Sequence, residues 1–186
     1  FANFILLVNS GIGSDEKVVV KRALDTGNLL INPITFEPSD IDVSDNQRER
    51  LDGWVKRRVA CEPVNRILGR QEFYGRVFKV TPDVLAPRPD TETIIDIALK
   101  RFEREAELCI LDLGTGSGCI LITLLKEFPN ATGVGIDLSE DALNVARENA
   151  SIHNLENRIS FVQGDWTENL DGKFDLIVSN PPYIEE

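Results

Sequence analysis

Methionine is absent from all 186 residues, which begin at Phe1, and a fragment, or a sequence with residues missing, is the expectation from that. Long apolar runs are absent as well. The longest near the start, Phe4 to Val8, is too short to cross a bilayer and lacks a basic flank, so neither a membrane span nor a signal peptide is expected. A cytoplasmic setting follows. Cysteine is scarce: Cys61, Cys109 and Cys119 are odd in number, show no Cys-x-x-Cys spacing and sit among apolar neighbours. Buried, reduced thiols are expected from that pattern, rather than a disulfide framework or a zinc site. The one histidine, His153, stands in a polar stretch where it caps or meets solvent rather than serving as a base. Basic charge is nearly missing from the second half. Residues 1–107 carry 16 Lys and Arg against 18 Asp and Glu, and residues 108–186 carry 4 against 13, so −2 and −9 make up the net −11. So acidic a surface repels phosphate backbones and argues against nucleic acid as a direct substrate.

With 42% apolar and 27% charged residues, the composition is that of a soluble globular protein, large enough for one domain with a small helical appendage. There is no internal repeat or low-complexity tract. Residues 1–43 carry few signals, with a helix plausible over Glu16 to Leu24 and loops around Gly11 to Gly13 and Asn32-Pro33. From Ser44 the pattern firms. Ser44 with Gln47 spells a capping box, and Leu51, Trp54, Val55 and Val59 recur on one helical face. Pro63 and Gly69 bracket a second short helix, Glu62 to Leu68. The basic residues gather here, at Arg48, Arg50, Lys56, Arg57, Arg58, Arg66, Arg70 and Arg76, either as a solvated face or as a docking surface for a partner. Aromatic and β-branched residues around Gly75 then predict a small hairpin, and Pro87-Arg88-Pro89-Asp90-Thr91-Glu92 opens a helix with apolar positions Ile94, Ile95, Ala98, Leu99 and Phe102. That opening reads either as a well-made helix start or as part of a site.

After Phe102 short apolar strands alternate with helices, which implies a parallel sheet with right-handed crossovers. Strands are predicted at Leu108 to Leu113, Thr132 to Ile136, Ile159 to Val162 and Phe174 to Val178. The intervening helices carry Ile120, Leu121, Leu124, Leu125 and Phe128, and then, after the cap Ser139, Leu143, Ala146 and Ala150. Between the first strand and its helix lies Gly114-Thr115-Gly116-Ser117-Gly118. Cys119 stands where a dinucleotide fingerprint would place its third glycine, which weakens a nicotinamide or flavin reading, yet the glycines still let a ligand approach the backbone. Asp112 precedes the loop. Asp137 ends the second strand, where an acid can accept hydrogen bonds from both hydroxyls of a ribose. Asp165 and Trp166 follow the third strand and either hold an adenine, by accepting from its amine and stacking on its ring, or simply cover the sheet.

The fourth strand delivers Asn180-Pro181-Pro182-Tyr183. Two prolines lock φ, remove two backbone donors and hold Asn180 extended, so this turn presents acceptors. It is either a strand stop or a grip for an NH2 group. The carboxyl ends of parallel strands share one rim at a spacing of ~4.8 Å, which places the glycine loop, Asp137, Trp166 and Asn180 along one crevice.

Leu111 to Gly118 with Asp137 resembles the nucleotide loop of class I S-adenosylmethionine-dependent methyltransferases, and Asn180 to Tyr183 resembles the motif with which amino-methylating members hold a planar nitrogen. Together with Arg70-Gln71-Glu72-Phe73-Tyr74-Gly75 and the Pro87 to Glu92 segment, the chain is similar, from about Ser44 to its end, to the protein-(glutamine-N5) methyltransferases. These modify the Gly-Gly-Gln glutamine of peptide chain release factors. The resemblance implies a Rossmann-like α/β sheet truncated after strand 4, since family members run through three more strands, with a small helical N-terminal lobe. It divides the chain into a substrate-recognition lobe (1–70), a hairpin linker (71–86) and a cofactor domain (87–186). It implies S-adenosylmethionine as cofactor, held by Gly114, Thr115, Gly116, Ser117, Gly118, Asp137, Asp165, Trp166 and Asn180. Asn180, Pro181, Pro182 and Tyr183 would bind the substrate glutamine, with Asn180, Pro181 and Tyr183 catalytic. No metal and no general base are expected, because an amide nitrogen has to be aimed and polarised rather than deprotonated first. Class I release factors are the implied partners, acted on by a monomer without membrane or direct nucleic-acid contact. An exocyclic-amine methyltransferase acting on adenine-N6 or guanine-N2, and a non-catalytic binding module, are the alternatives.

Overall fold

A computed structural model describes residues 44–166 and 172–180. The helix and loops expected before Ser44, and Pro181, Pro182 and Tyr183, lie outside the described residues. The chain divides after Leu68 into two compact units.

In the first unit, α1 (Asp45–Val59) starts with the capping box that its sequence spells. The Ser44 hydroxyl accepts the Gln47 N–H, and the Gln47 side chain accepts the Ser44 N–H at 3.0 Å. Lys56, Arg57 and Arg58 occupy the last turn, where the helix dipole favours cations. The second helix, α2 (Val64–Leu68), begins two residues later than the spacing predicts. Glu62 is engaged instead by Arg57, whose Nε reaches it at 2.7 Å, and the Pro63 carbonyl receives the N–H groups of Arg66 and Ile67. Arg57 also donates to the Arg66 and Ile67 carbonyls at 3.0 and 3.3 Å, so this member of the basic cluster joins α1 to α2. Cys61 departs from the expectation of three buried thiols. The turn after α1 takes it into left-handed backbone (φ 65°) and leaves it exposed, whereas Cys109 is half-buried and Cys119 buried.

The second unit opens with an antiparallel hairpin, β1 (Arg70–Phe73) and β2 (Arg76–Lys79). Its turn residues Tyr74 and Gly75 both have positive φ (50° and 70°), the primed geometry that matches the twist of two-residue hairpins. Phe73 and Phe78 are buried with their rings edge to face at 6.2 Å. A 3-10 turn (Pro89–Thr91) leads into α3 (Glu92–Arg101), with Pro89 where a missing N–H costs nothing.

Four strands follow: β3 (Cys109–Leu113), β4 (Thr132–Asp137), β5 (Ile159–Gln163) and β6 (Leu176–Ser179). All pair in parallel, in the order β5-β4-β3-β6, so the expected α/β sheet is present. Helix α4 (Cys119–Glu127) links β3 to β4, and α5 (Glu140–Ile152), capped by the Ser139 hydroxyl, links β4 to β5. Strand β6 begins at Leu176 rather than Phe174, because Asp175 closes the sheet edge-on: its N–H donates to the Cys109 carbonyl and its carboxylate accepts the Cys109 N–H at 2.8 Å. The core between α4 and the sheet holds Ile110, Leu121, Ile122, Leu124, Leu125 and Phe128, each side chain worth roughly 1.5–3 kcal/mol of burial. Gly133 makes room for it. A Cβ there would lie 2.5 Å from Leu121 Cδ1, so the helix packs down onto bare backbone.

Candidate active site

Strand order sets where a site can form. Moving outward from β3, the chain goes to β4 and β5 on one side and then returns to β6 on the other, which leaves a crevice at the carboxyl ends between β3 and β6. Leu113 of β3 pairs with Ile136 of β4 and Ser179 of β6, so the next residues, Gly114, Asp137 and Asn180, leave adjacent strands side by side. The Ser179 hydroxyl donates to the Leu113 carbonyl at 2.8 Å and ties the two strand ends together. On the far side, Gly164 N–H donates to the Asp137 carbonyl at 3.1 Å, bringing Asp165 and Trp166 to the same rim.

These ends open on a cavity of about 340 Å³. Of the residues singled out from sequence, Gly114, Thr115, Gly116, Ser117, Asp137, Asp165, Trp166 and Asn180 line it. Gly118 does not. It sits at the N-cap of α4 with φ 76°, and a Cβ there would lie 3.0 Å from Ile122 Cδ1 and 3.3 Å from Ala146 Cβ, so its place is in helix packing. The cavity also takes in Val84, Leu85 and Ala86, which sequence reasoning did not assign to a site although an apolar triplet framed by Pro82 and Pro87 was the available signal, and Thr91, from the Pro87 to Glu92 opening that the sequence left open between helix start and site. Leu85, Leu138 and Trp166 line it while remaining more than half exposed, an apolar rim suited to a flat ring.

Backbone amides organise the acids. One oxygen of Asp137 accepts the Gly116 N–H at 2.8 Å and the other accepts Ser139 N–H at 3.0 Å, so one carboxylate fixes both the glycine loop and the start of α5. Asp112 is fully buried, and burial pushes its carboxyl up to about 7 despite the hydrogen bond from Thr115 Oγ1 at 2.7 Å. Burial likewise pushes the Cys119 thiol up to about 12, which keeps it protonated and unreactive. His153 is remote from the rim. It ends α5, with Nε2 3.0 Å from the Val77 carbonyl and its ring 4.8 Å from Phe78, and burial lowers its pKa.

Further contacts were invisible as motifs. Asn180 Nδ2 donates to Thr91 Oγ1 at 3.0 Å. Glu92, the next residue, accepts the Tyr74 N–H at 2.8 Å, and the Tyr74 hydroxyl donates to Asp96. The Pro87 to Glu92 segment therefore joins the hairpin turn on one side and the end of β6 on the other. Asn149, wholly buried on α5, donates to the Ser117 carbonyl and exchanges two hydrogen bonds with the backbone of Lys79.

Residues 104–183 match a family model described as a methyltransferase domain. A protein of Agrobacterium fabrum named release factor glutamine methyltransferase is 43% identical over 178 residues, covering 92% of this chain and 61% of that protein. One of the same name from Caulobacter vibrioides is 47% identical over 144 residues, covering 77% of this chain and 50% of that protein. This chain is homologous to the release factor glutamine methyltransferases. It spans about half of the length of several of these relatives, 49% of the one from Bradyrhizobium diazoefficiens and 50% of the one from Aliivibrio fischeri. Among solved structures, a SAM-dependent methyltransferase from Geobacter sulfurreducens in complex with S-adenosyl-L-homocysteine is 30% identical, over 50% of this chain and 36% of that one, at a TM-score of 0.41. A ribosomal protein L11 methylase from Lactobacillus delbrueckii is 26% identical over 60% of this chain and 56% of that one, at a TM-score of 0.45.

Proposed function

We propose that the protein transfers a methyl group from S-adenosylmethionine to the side-chain amide nitrogen of the Gly-Gly-Gln glutamine in class I peptide chain release factors, and so acts in translation termination in the cytoplasm. The observation that carries this reading is that Asn180 and the glycine loop open on one cavity, in a chain whose relatives bear that name. The cavity suits the cofactor. Gly114 and Gly116, with φ 70° and 54°, put no Cβ between loop and ligand, and about 340 Å³ falls within the ~300–1,000 Å³ usual for small-ligand sites. When bound, the cofactor supplies an electrophilic methyl group on a sulfonium.

In this reading, Asp137 accepts from the ribose hydroxyls while keeping its hold on Gly116, and Trp166 with Leu138 covers the adenine whose amine Asp165 receives. Gly114 to Ser117 lie against the remainder of the cofactor, and Gly118 supports them through α4. The Asn180 side-chain oxygen accepts one N–H of the substrate amide and the Pro181 carbonyl accepts the other, with Pro182 fixing the turn and Tyr183 packing on the glutamine stem or facing the cation. An amide lone pair is delocalised into its carbonyl, so orientation and fixed dipoles account for the rate. Residues 1–70 recognise the protein substrate, 71–86 link, and 87–186 hold the cofactor.

Incubation of the full chain with cofactor carrying a tritiated methyl, in the presence of a class I release factor, tests this directly. Label is expected in the release factor and not in a form whose Gly-Gly-Gln glutamine is replaced by alanine. Label in DNA or RNA, equal label in the release factor and in its alanine form, or none at all overturns the reading.

A further inference from the structure

We infer that Thr91 is a positioning residue, whose hydroxyl sets the direction of the Asn180 amide. The inference rests on the amide-methylating reading of the site. Thr91 stands at the N-cap of α3, where a threonine hydroxyl ordinarily accepts from the N–H groups of the first turn. Here it makes no such bond. The 3-10 turn feeding the helix removes the need, because Thr91 N–H donates to the Arg88 carbonyl and Glu92 N–H to those of Asp90 and Pro89. The hydroxyl is turned instead to a residue 89 positions away, accepting Asn180 Nδ2 at 3.0 Å.

A side-chain amide has a donor end and an acceptor end, and a partner for one end decides where the other points. By accepting from Nδ2, Thr91 anchors one end of the amide and fixes its plane, with Oδ1 at the other end of that plane; its hydroxyl can donate as well as accept, so what the bond secures is the plane in which the amide meets a substrate NH2. Burial strengthens the hold, since Thr91 is only 7% exposed and water has little access to replace it. The backbone around Thr91 is itself secured. Its neighbour Glu92 is tied to Tyr74 of the hairpin, so the acceptor is carried on a fixed turn. Both Thr91 and Asn180 line the cavity, which places the bond beside the reacting groups.

The test compares Thr91→Val, which keeps shape and deletes the hydroxyl, with Thr91→Ser, which keeps the hydroxyl and deletes a methyl. In the full chain, methyl transfer to the release factor is followed along with KM, cofactor affinity by calorimetry, and the Asn180 side-chain NH2 resonances by 15N NMR. Thr91→Val is expected to lower kcat by ~10–100-fold through misorientation, with cofactor Kd and substrate KM within about twofold of the parent. Its Asn180 NH2 signals should shift and exchange faster. Thr91→Ser should restore both kcat and the signals. Equal kcat in parent and Thr91→Val, or unchanged Asn180 signals, overturns the inference. A parent that methylates a different acceptor defeats the proposed function, while the NMR comparison still decides whether Thr91 directs Asn180.

Discussion

The side-chain amide of Asn149 donates to the carbonyl of Ser117 at 2.9 Å, and the same side chain exchanges hydrogen bonds of 2.7 and 3.0 Å with the N–H and carbonyl of Lys79. One buried residue of α5 therefore holds the glycine loop and the end of the hairpin together. The contact to Ser117 is buried and those to Lys79 are part-buried, so loss of the amide leaves backbone groups with little access to water.

Asn149→Ala should destabilise the second unit by about 3 kcal/mol, from three lost hydrogen bonds and the backbone groups left behind. It should also loosen the glycine loop. Urea denaturation and cofactor calorimetry check both effects, and a change in stability below about 1 kcal/mol would show that the buried amide is dispensable.

Asp137→Ala removes the carboxylate that binds Gly116 N–H and Ser139 N–H. Cofactor affinity should fall by about 10–100-fold, the range of one or two charge-assisted hydrogen bonds. Calorimetric titration of S-adenosylmethionine measures it. A dissociation constant matching the parent's would remove Asp137 from the site.

Asn180→Ala should lower methyl transfer by ~10²–10³-fold, as for loss of a fixed dipole at a reacting centre. Cofactor binding should stay within a few-fold. Single-turnover transfer and calorimetry separate the two, and a variant that keeps the parent rate would exclude Asn180 from the mechanism.

The buried Asp112 makes stability depend on pH. Its ordinary value is 3.8 and burial raises it to about 7, so across that window the folded protein retains a proton that the unfolded chain has released. Stability from this group is complete below about pH 4, falls as pH rises, and is lost above about pH 7. Asp112→Asn, neutral at every pH, should flatten the difference between pH 5 and pH 8 by on the order of 3 kcal/mol. Denaturation curves for both proteins at the two pH values provide the measurement; parallel curves would show that Asp112 does not titrate in this window.

Much of the sheet could be read in advance because its signals are local. Strand β3 ends with its apolar run at Leu113, β4 closes on Asp137 as expected, and β5 runs one residue past its apolar run, to Gln163. Strand β6 slid by one to two residues because Asp175 is used across the sheet at Cys109, a pairing that no window around Phe174 contains. Cys61 fails for a similar reason: its neighbours are apolar, but a left-handed turn faces it outward.

The sequence alone determined the order of strands and helices, the glycine loop, and the acid and asparagine that follow successive strands. Periodicity, caps and turn residues act over a few positions, and a parallel sheet brings its carboxyl ends to one rim whatever the intervening detail. Tertiary structure alone decided that Thr91 accepts from Asn180, that Glu92 binds Tyr74, and that Asn149 reaches Ser117 and Lys79. Those bonds join groups 18 to 89 residues apart, and they exist only once helices have packed on the sheet at a particular depth. Gly133 and Gly118 show what sets that depth: neither could carry a Cβ without pushing Leu121 or Ile122 away. Hydrogen bonds need donor and acceptor within about 3 Å, so close packing, rather than residue type, selects which of many polar side chains meet.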